Sequence, residues 1–328
     1  MGHSNVPPPD GRSGGGPPVI ALVGPTASGK SDVGVALARL LGERAGTPGE
    51  VVNADALQFY RGMDVGTAKI TPAERRGVPH HLLDVLDVTQ TAEVAVFQGW
   101  AHDAFDDVGA RGGVPVLVGG SGLYVRAALD DLRFPGKDPG VRARWEAELD
   151  RAGPRALHAR LAERDPAAAA AILPTNGRRI VRALEVGEIT GEPFAASLPE
   201  QTYRRPTVQV GLAVPREQLV ARIDARVDRM WAAGLVEEVR VLAARGLREG
   251  RTAGRALGYA QVLDALDGGT TLEQARELTA RLTRRFARKQ DAWFRRDRRV
   301  HWVPAPDGAD PEDLARQVLD LLPVASAA

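Results

Sequence analysis

The sequence of 328 residues contains no cysteine. Disulfide staples, thiolate zinc sites, iron–sulfur clusters and thiol nucleophiles are excluded together. The compartment stays open on that count, since a cytosolic protein needs no cysteine. Lysine is scarce as well: Lys30, Lys69, Lys137 and Lys289 are the four lysines among 43 basic side chains. Genomic base composition accounts for an arginine bias of this kind, which makes a lysine inside a motif worth following. No apolar run reaches the ~18 residues that cross a bilayer, and no signal-peptide pattern opens the chain. Residues 1–17, rich in Pro, Gly and Ser, read as a disordered leader. A cytoplasmic protein without membrane attachment is expected. Overall charge is nearly balanced, 43 basic against 42 acidic residues, so a nucleic-acid contact would have to rest on local clusters. With 44% hydrophobic and 26% charged residues the composition is that of a globular protein, and the length suggests about two domains.

The run Val19-Ile20-Ala21-Leu22-Val23 has the continuous apolar character of a strand buried on both faces. GPTASGKS follows, and then DVGVALARLLGE, whose apolar residues recur at helical spacing. Further strands are predicted to end at Asn53 and to cover Val114–Val118, Val208–Val214 and Val300–Val303, with helical stretches between them. This alternation predicts an α/β protein with a P-loop, doubly wound parallel sheet core. From 135 to 199 the texture changes to helical segments (VRARWEAELDRAG, PRALHARLAERD, PAAAAAIL, GRRIVRALEVGEITG) with no convincing strand. That stretch is read as an all-helical subdomain inserted into a core made of 18–134 and 200–323. Long helices are predicted over 215–246, 255–267 and 272–297.

Gly24-Pro25-Thr26-Ala27-Ser28-Gly29-Lys30-Ser31 satisfies the G-x-x-x-x-G-K-[ST] pattern in full, the loop of nucleotide-binding and ATP-binding proteins. Its glycines let the backbone wrap an anion, and the helix that follows adds its positive dipole end. Lys30 supplies a point charge to phosphate oxygens. The Ser31 hydroxyl is placed to ligate a Mg²⁺ that the phosphates also hold. Strand before and helix after distinguish this from a chance Gly-rich turn, but the motif does not say which phosphate or diphosphate ester binds.

Asp55 sits just past the second strand, where ligands gather at the carboxyl ends of a parallel sheet. It could hold Mg²⁺ through water, act as a general base, or cap a helix. Ser121, in Gly119-Gly120-Ser121-Gly122, could approach a reacting centre closely or simply be the N-cap of the next helix. His80-His81 invites a metal reading, but neighbours on an extended segment point to opposite faces and no third ligand is spaced near them. Two basic clusters stand out. Arg178, Arg179 and Arg182 lie on adjoining faces of a helix in the insertion. Between 281 and 299, eight Arg and one Lys stand against two Asp, interleaved with Phe286, Trp293 and Phe294. Either cluster suits a nucleic-acid backbone, and either suits a solvated face paired with acids of other helices.

Several blocks in order carry a resemblance: GPTASGKS, NADALQFYRGMDVGTAK, GVPHHLLDVLDV, LVGGSGLYVRAAL, RRIVRALEVGEITG, GRALGY and WFRRDRRVHW. From Val19 to Val303 the chain closely resembles the bacterial tRNA dimethylallyltransferases, also called tRNA isopentenyltransferases. The resemblance implies that the P-loop cradles the diphosphate of dimethylallyl diphosphate and that the acceptor is N6 of the adenosine 3′ of the anticodon. It implies prenyl transfer with Mg²⁺ and no ATP hydrolysis. Asp55 matches the family's general base, which decides among its three roles. Arg142 and Arg255 match positions that reach the diphosphate, and Ser121 matches a position usually held by Thr beside the reacting centre. The family's tRNA contacts carry over to Asp55, Ala56, Leu57 and Gln58, and to Arg178, Arg179, Ile180, Val181 and Arg182. Ala56 departs from the family's usual Ser, which removes a hydroxyl. The lack of cysteine agrees with a bacterial-type member, because eukaryotic relatives carry an added zinc finger. The expected partner is a tRNA anticodon stem-loop, met by a monomer. Rival readings are a small-molecule P-loop kinase, a transferase acting on free adenine nucleotides, and an RNA-binding protein with a vestigial P-loop.

Overall fold

A computed structural model of the chain describes residues 18–194 and 201–322. The leader read at 1–17 lies outside the described residues. The chain divides into two compact units, one made of the segments up to Asp130 and from Tyr203 onward, the other of Asp131–Thr202.

The first unit is built on β1 (Val19–Val23), β2 (Gly49–Asn53), β3 (His80–His81), β4 (Val114–Gly119), β5 (Thr207–Ala213) and β6 (Val300–Pro304). They form one sheet in the order β3-β2-β4-β1-β5-β6, and every pairing is parallel. All five residues of β1 are buried, as a central strand covered on both faces requires. Ile20, Leu22, Val51, Val116, Val118, Val210 and Leu212 join one apolar core with α1 (Lys30–Ala45) and α11 (Pro311–Asp320). The alternate residues Val19, Ala21, Val23, Val52 and Leu117 are equally buried and therefore face the other side. α2 (Val94–Ala110) packs against β2 and β4, and α3 (Gly122–Leu129) against β4 and α2. After β5 come α7 (Arg216–Ala232), α8 (Leu235–Ala243), α9 (Tyr259–Leu266) and α10 (Leu272–Phe294).

Two departures from the sequence reading stand out, one with a local cause and one without. The helix expected over 215–246 breaks at Gly234, whose φ of 94° leaves the helical region, giving α7 and α8. The sixth strand, β3, is two polar residues long and is defined only by the pairs Val51↔His80 and Val52↔His81. No local pattern announces it.

The second unit is α4 (Pro139–Arg164), α5 (Pro166–Ala171) and α6 (Gly177–Thr190). Asp138 caps α4 by accepting from Gly140 N at 2.8 Å and Val141 N at 3.0 Å. Gly153, at φ 79°, and Pro154 interrupt α4. The unit closes on its own core of Trp145, Leu157, Leu161, Ile172, Ile180, Val181 and Leu184.

The neck where the chain leaves and re-enters the first unit is an isolated antiparallel bridge between Asp130 and Tyr203. Asp130 is 0% exposed. Its carboxylate accepts from Arg126 Nε at 2.6 Å and from Arg299 at 2.7 and 3.3 Å. Arg299 also grips Asp297 and lies 4.0 Å over the Tyr203 ring. Removing one partner of such a buried pair leaves uncompensated charge. Asp130→Ala is therefore expected to cost roughly 3–5 kcal/mol, read as a fall in the urea unfolding midpoint; a midpoint unchanged from the parent would contradict this account of the neck.

Candidate active site

β1 delivers the chain to the carboxyl edge of the sheet at Val23, and the P-loop turns there. Gly24 has φ 137° and Gly29 φ 89°, conformations that favour glycine, and Ala27 is held at φ 63° without being one. Gly29 is the N-cap of α1 and offers no side-chain cap, so the first N–H groups of that helix remain available to an anion. Lys30 Nζ donates to Pro25 O at 2.6 Å and to Ser28 Oγ at 3.4 Å, fastening the side chain across its own loop. Burial and then repulsion from Arg226 push the Lys30 ammonium down to about 7, against the pull of Asp55. Ser31 is exposed on the first turn of α1.

Asn53 at the end of β2 orients the segment that follows. Its Nδ2 donates to Asp55 O at 3.1 Å and Leu82 O at 3.0 Å, and its Oδ1 accepts from Asp55 N at 2.9 Å. Asp55 Oδ1 in turn accepts from Leu57 N at 3.0 Å. The residues after Asp55 form a turn, not a helix, so the capping role is confined to one oxygen of an Asx-type turn. Among the described residues the other oxygen, Oδ2, has no hydrogen-bond partner. Asp55 attracts both Lys30 and Arg226, so the three charges share one locality. Arg226, on α7, donates to Thr67 O at 2.7 Å, and Gln58 Nε2 reaches the same oxygen at 3.4 Å.

The loop bearing Thr67 is held from beneath. Glu238 on α8 accepts from the backbone of Asp64, Val65 and Gly66 at 3.0, 2.7 and 3.1 Å, and from the Tyr259 hydroxyl at 2.5 Å. Lys69 Nζ donates to Tyr60 O, Asp64 and Asp84 at 2.6–2.7 Å. Of the four lysines, Lys69 is thus a buried structural tie. At the end of β4, Ser121 is the N-cap residue of α3, yet its hydroxyl makes no capping bond. From α10, the buried Gln290 reaches both the P-loop and the Gly120 carbonyl. Arg255 ends a short 3₁₀ turn, Ala253–Arg255, with its side chain exposed.

In the helical unit, Arg142 donates to Glu146 at 3.0 Å and to Glu185 at 3.1 Å. Arg182 donates to the same Glu185 oxygen at 2.8 Å and to Pro135 O at 2.7 Å. Arg178 and Arg179 are exposed. Ile180 and Val181 are not: at 0% and 1% exposure they belong to the unit's core. The contiguous block thus holds two inward-facing helix positions along with the outward arginines.

Sequence reasoning missed Arg226 and Gln290. Nothing local marks Arg226 among its neighbouring arginines. Gln290 carried a signal, a polar residue at i+3 from buried Ala287 and i−4 from buried Phe294 on the inner face of a helix. The basic cluster at 281–299 sorts into two groups. Arg299 belongs to the neck, Arg284 pairs with Asp224, and Arg295 pairs with Asp291. Arg281, Arg285, Arg288, Lys289, Arg296 and Arg298 are exposed, as are Phe286 and Trp293. The histidines are taken up locally, His80 by Val78 O at 2.9 Å and His81 by Glu50 at 2.6 Å.

The position of Lys30 yields a pH prediction. Its ammonium loses its proton around pH 7 in the free protein, and a bound anion favours the charged form. Binding of inorganic diphosphate should therefore take up a proton above pH 7 and weaken as pH rises further. Calorimetry in buffers of different ionisation enthalpy reads that proton, and Lys30→Met should remove it. Equal proton uptake by parent and variant would assign it elsewhere.

A family model described as IPP transferase matches residues 58–297. A tRNA dimethylallyltransferase of Kineococcus radiotolerans is 82% identical over 328 residues, covering 100% of both chains. One from Thermobifida fusca is 67% identical over 89% of this chain and 92% of its own. Among solved structures, the tRNA isopentenylpyrophosphate transferase of Bacillus halodurans aligns with TM-score 0.67 at 40% identity, covering 92% of this chain and 94% of that one. A eukaryotic dimethylallyltransferase, described as acting on tRNA, aligns with TM-score 0.77 at 25% identity over 92% of this chain and 77% of its own. With its parallel sheet, its P-loop and these relatives, the chain belongs to the IPP transferase family.

Proposed function

We propose that the chain transfers the dimethylallyl group of dimethylallyl diphosphate to N6 of the adenosine immediately 3′ of the anticodon in tRNA, giving N6-isopentenyladenosine and diphosphate. The observation that carries this reading is Asp55, with one carboxylate oxygen unpartnered among the described residues, sharing its locality with Lys30 and Arg226 at the P-loop. An anion and a proton-accepting group are thereby served at one edge of the sheet.

The P-loop from Gly24 to Ser31 and the Lys30 ammonium hold the diphosphate, and Arg226 adds a second positive charge. As the allylic C–O bond opens, negative charge grows on the leaving oxygen, and preorganised donors aimed there favour the transition state over the ground state. Arg142 and Arg255 add to that set by resemblance. The exocyclic amine is a weak nucleophile because its lone pair is delocalised into the ring. Asp55 takes its proton as the N–C bond forms, with Ser121 beside the reacting carbon. Among the described residues no three His, Cys, Asp or Glu side chains gather into a metal-ligating group. A Mg²⁺ fits this site only with the Ser31 hydroxyl, phosphate oxygens and water as ligands, which is the ion's common habit. Held there, it would supply charge neutralisation for the leaving diphosphate.

The acceptor base must leave the anticodon-loop stack to be reached. Asp55 to Gln58 lie at the carboxyl edge to receive it, and Arg178, Arg179 and Arg182 of the helical unit offer charge to the RNA backbone. Among the described residues no helix is long and apolar enough to cross a membrane, and the enzyme is read as a cytoplasmic monomer.

Nucleoside mass spectrometry on unmodified tRNA, incubated with the chain, Mg²⁺ and dimethylallyl diphosphate, tests the reaction. N6-isopentenyladenosine should form with the prenyl donor and not with ATP alone. Its absence on several adenosine-rich anticodon loops would return the kinase reading. Asp55→Asn should lower turnover about 10²–10⁴-fold while tRNA affinity changes far less; equal losses in both would remove the general-base role.

A further inference from the structure

α10 meets the catalytic edge along a face that carries Ala287, Gln290 and Phe294, all buried. An amphipathic helix calls for an apolar residue at the middle of these three positions. Gln290 is 7% exposed instead, and a buried amide is costly unless its hydrogen-bonding groups are met. They are met from two different loops. Gln290 Oε1 accepts from Thr26 N at 2.9 Å across 264 residues, and Gln290 Nε2 donates to Gly120 O at 2.8 Å across 170 residues. One partner is a donor and the other an acceptor, so only one orientation of the amide satisfies both.

The contact surface is cut to fit. A Cβ at Gly120 would lie 2.5 Å from Gln290 Nε2, and a Cβ at Gly122 would lie 2.0 Å from Trp293 Nε1. Glycine at these two positions lets α10 sit directly on the loop that carries Ser121. Thr26 belongs to the anion-wrapping loop, and its N–H is committed to Gln290.

We infer that Gln290 is a positioning residue that fixes the P-loop against the Ser121 loop, and so sets the distance between the bound diphosphate and the carbon it leaves. This rests on the proposed prenyl transfer. Both partners are backbone atoms, so the clamp acts on loop position and not on side-chain chemistry. Its weight follows from geometry: displacement of a reacting group by ~1 Å can cost ~10²-fold in rate. Because Gln290 is buried, it acts without touching the RNA.

The test compares the full-length parent chain with Gln290→Met and Gln290→Glu. Methionine keeps the volume and loses both hydrogen bonds. Glutamate keeps the shape and the acceptor for Thr26 N–H, loses the donor to Gly120 O, and brings negative charge towards the anion loop. Single-turnover prenyl transfer at saturating tRNA should fall about 10–100-fold in the methionine variant, with tRNA affinity within about twofold of the parent. Inorganic diphosphate should bind more weakly to both variants, and most weakly to the glutamate form. Unchanged rate and diphosphate affinity would overturn the inference, whatever happens to the melting temperature. Loss of the native circular dichroism spectrum in both variants would overturn it too, because the amide would then be holding the fold and not the loops. If the parent transfers no prenyl group, the proposed function falls, while diphosphate affinity across the three proteins still tests the clamp.

Discussion

Lys30 and Arg226 bring two positive charges to the carboxyl edge of the sheet, where Asp55 is the acidic group that draws on both. Like charges this close repel, and partial burial removes the water that would screen them. Much of the surrounding structure can be understood as holding that arrangement in place. The Lys30 side chain is tied across its own loop by Pro25 O, Arg226 is tied to Thr67 O, and Asp55 is aimed by Asn53. An anion entering such a locality would relieve the repulsion, the more so as its negative charge grows.

The supports form a graded series from backbone outward. Glu238 gathers three consecutive backbone N–H groups, which places Thr67, and Thr67 O then receives both Arg226 and Gln58. Most of these links involve an ionised carboxylate or guanidinium, and such bonds are worth about 1.5–3 kcal/mol net in stability. Their value lies in pinning a cationic side chain and a turn to one point. Lys69 does the equivalent for the other side of the loop, bonding one carbonyl and two carboxylates.

What the sequence discloses and what it hides divide along contact range. The P-loop, β1, β4 and the general position of Asp55 are legible because strand, turn and helix follow within one short segment, and local periodicity and glycine placement carry the information. Arg226 and Gln290 are hidden because their roles are defined by partners far along the chain. An arginine in an arginine-rich helix looks the same whether it faces solvent or a loop, and the phase of Gln290 between Ala287 and Phe294 marks an inward face without naming its partners. Helical phase is equally hidden inside a contiguous block: Ile180 and Val181 turn into the core of the helical unit beside the exposed Arg178 and Arg179. β3 escaped because two histidines on a sheet edge have no pattern to read, only a partner in β2 to pair with.

The bridge between Asp130 and Tyr203 also has a polymer meaning. Leu129 O accepts from Arg204 N at 2.8 Å, and just beyond, Asp131 N donates to Thr202 O at 3.2 Å, so the ends of the helical excursion are already zipped together. The entropy of closing that loop is therefore met at its base. Further lengthening is cheap, about 0.6 kcal/mol for each doubling of a flexible loop. A segment tethered this way can gain or lose turns over evolutionary time with little strain on the sheet that bears it, so the helical unit and the sheet-bearing unit are free to diversify at different rates.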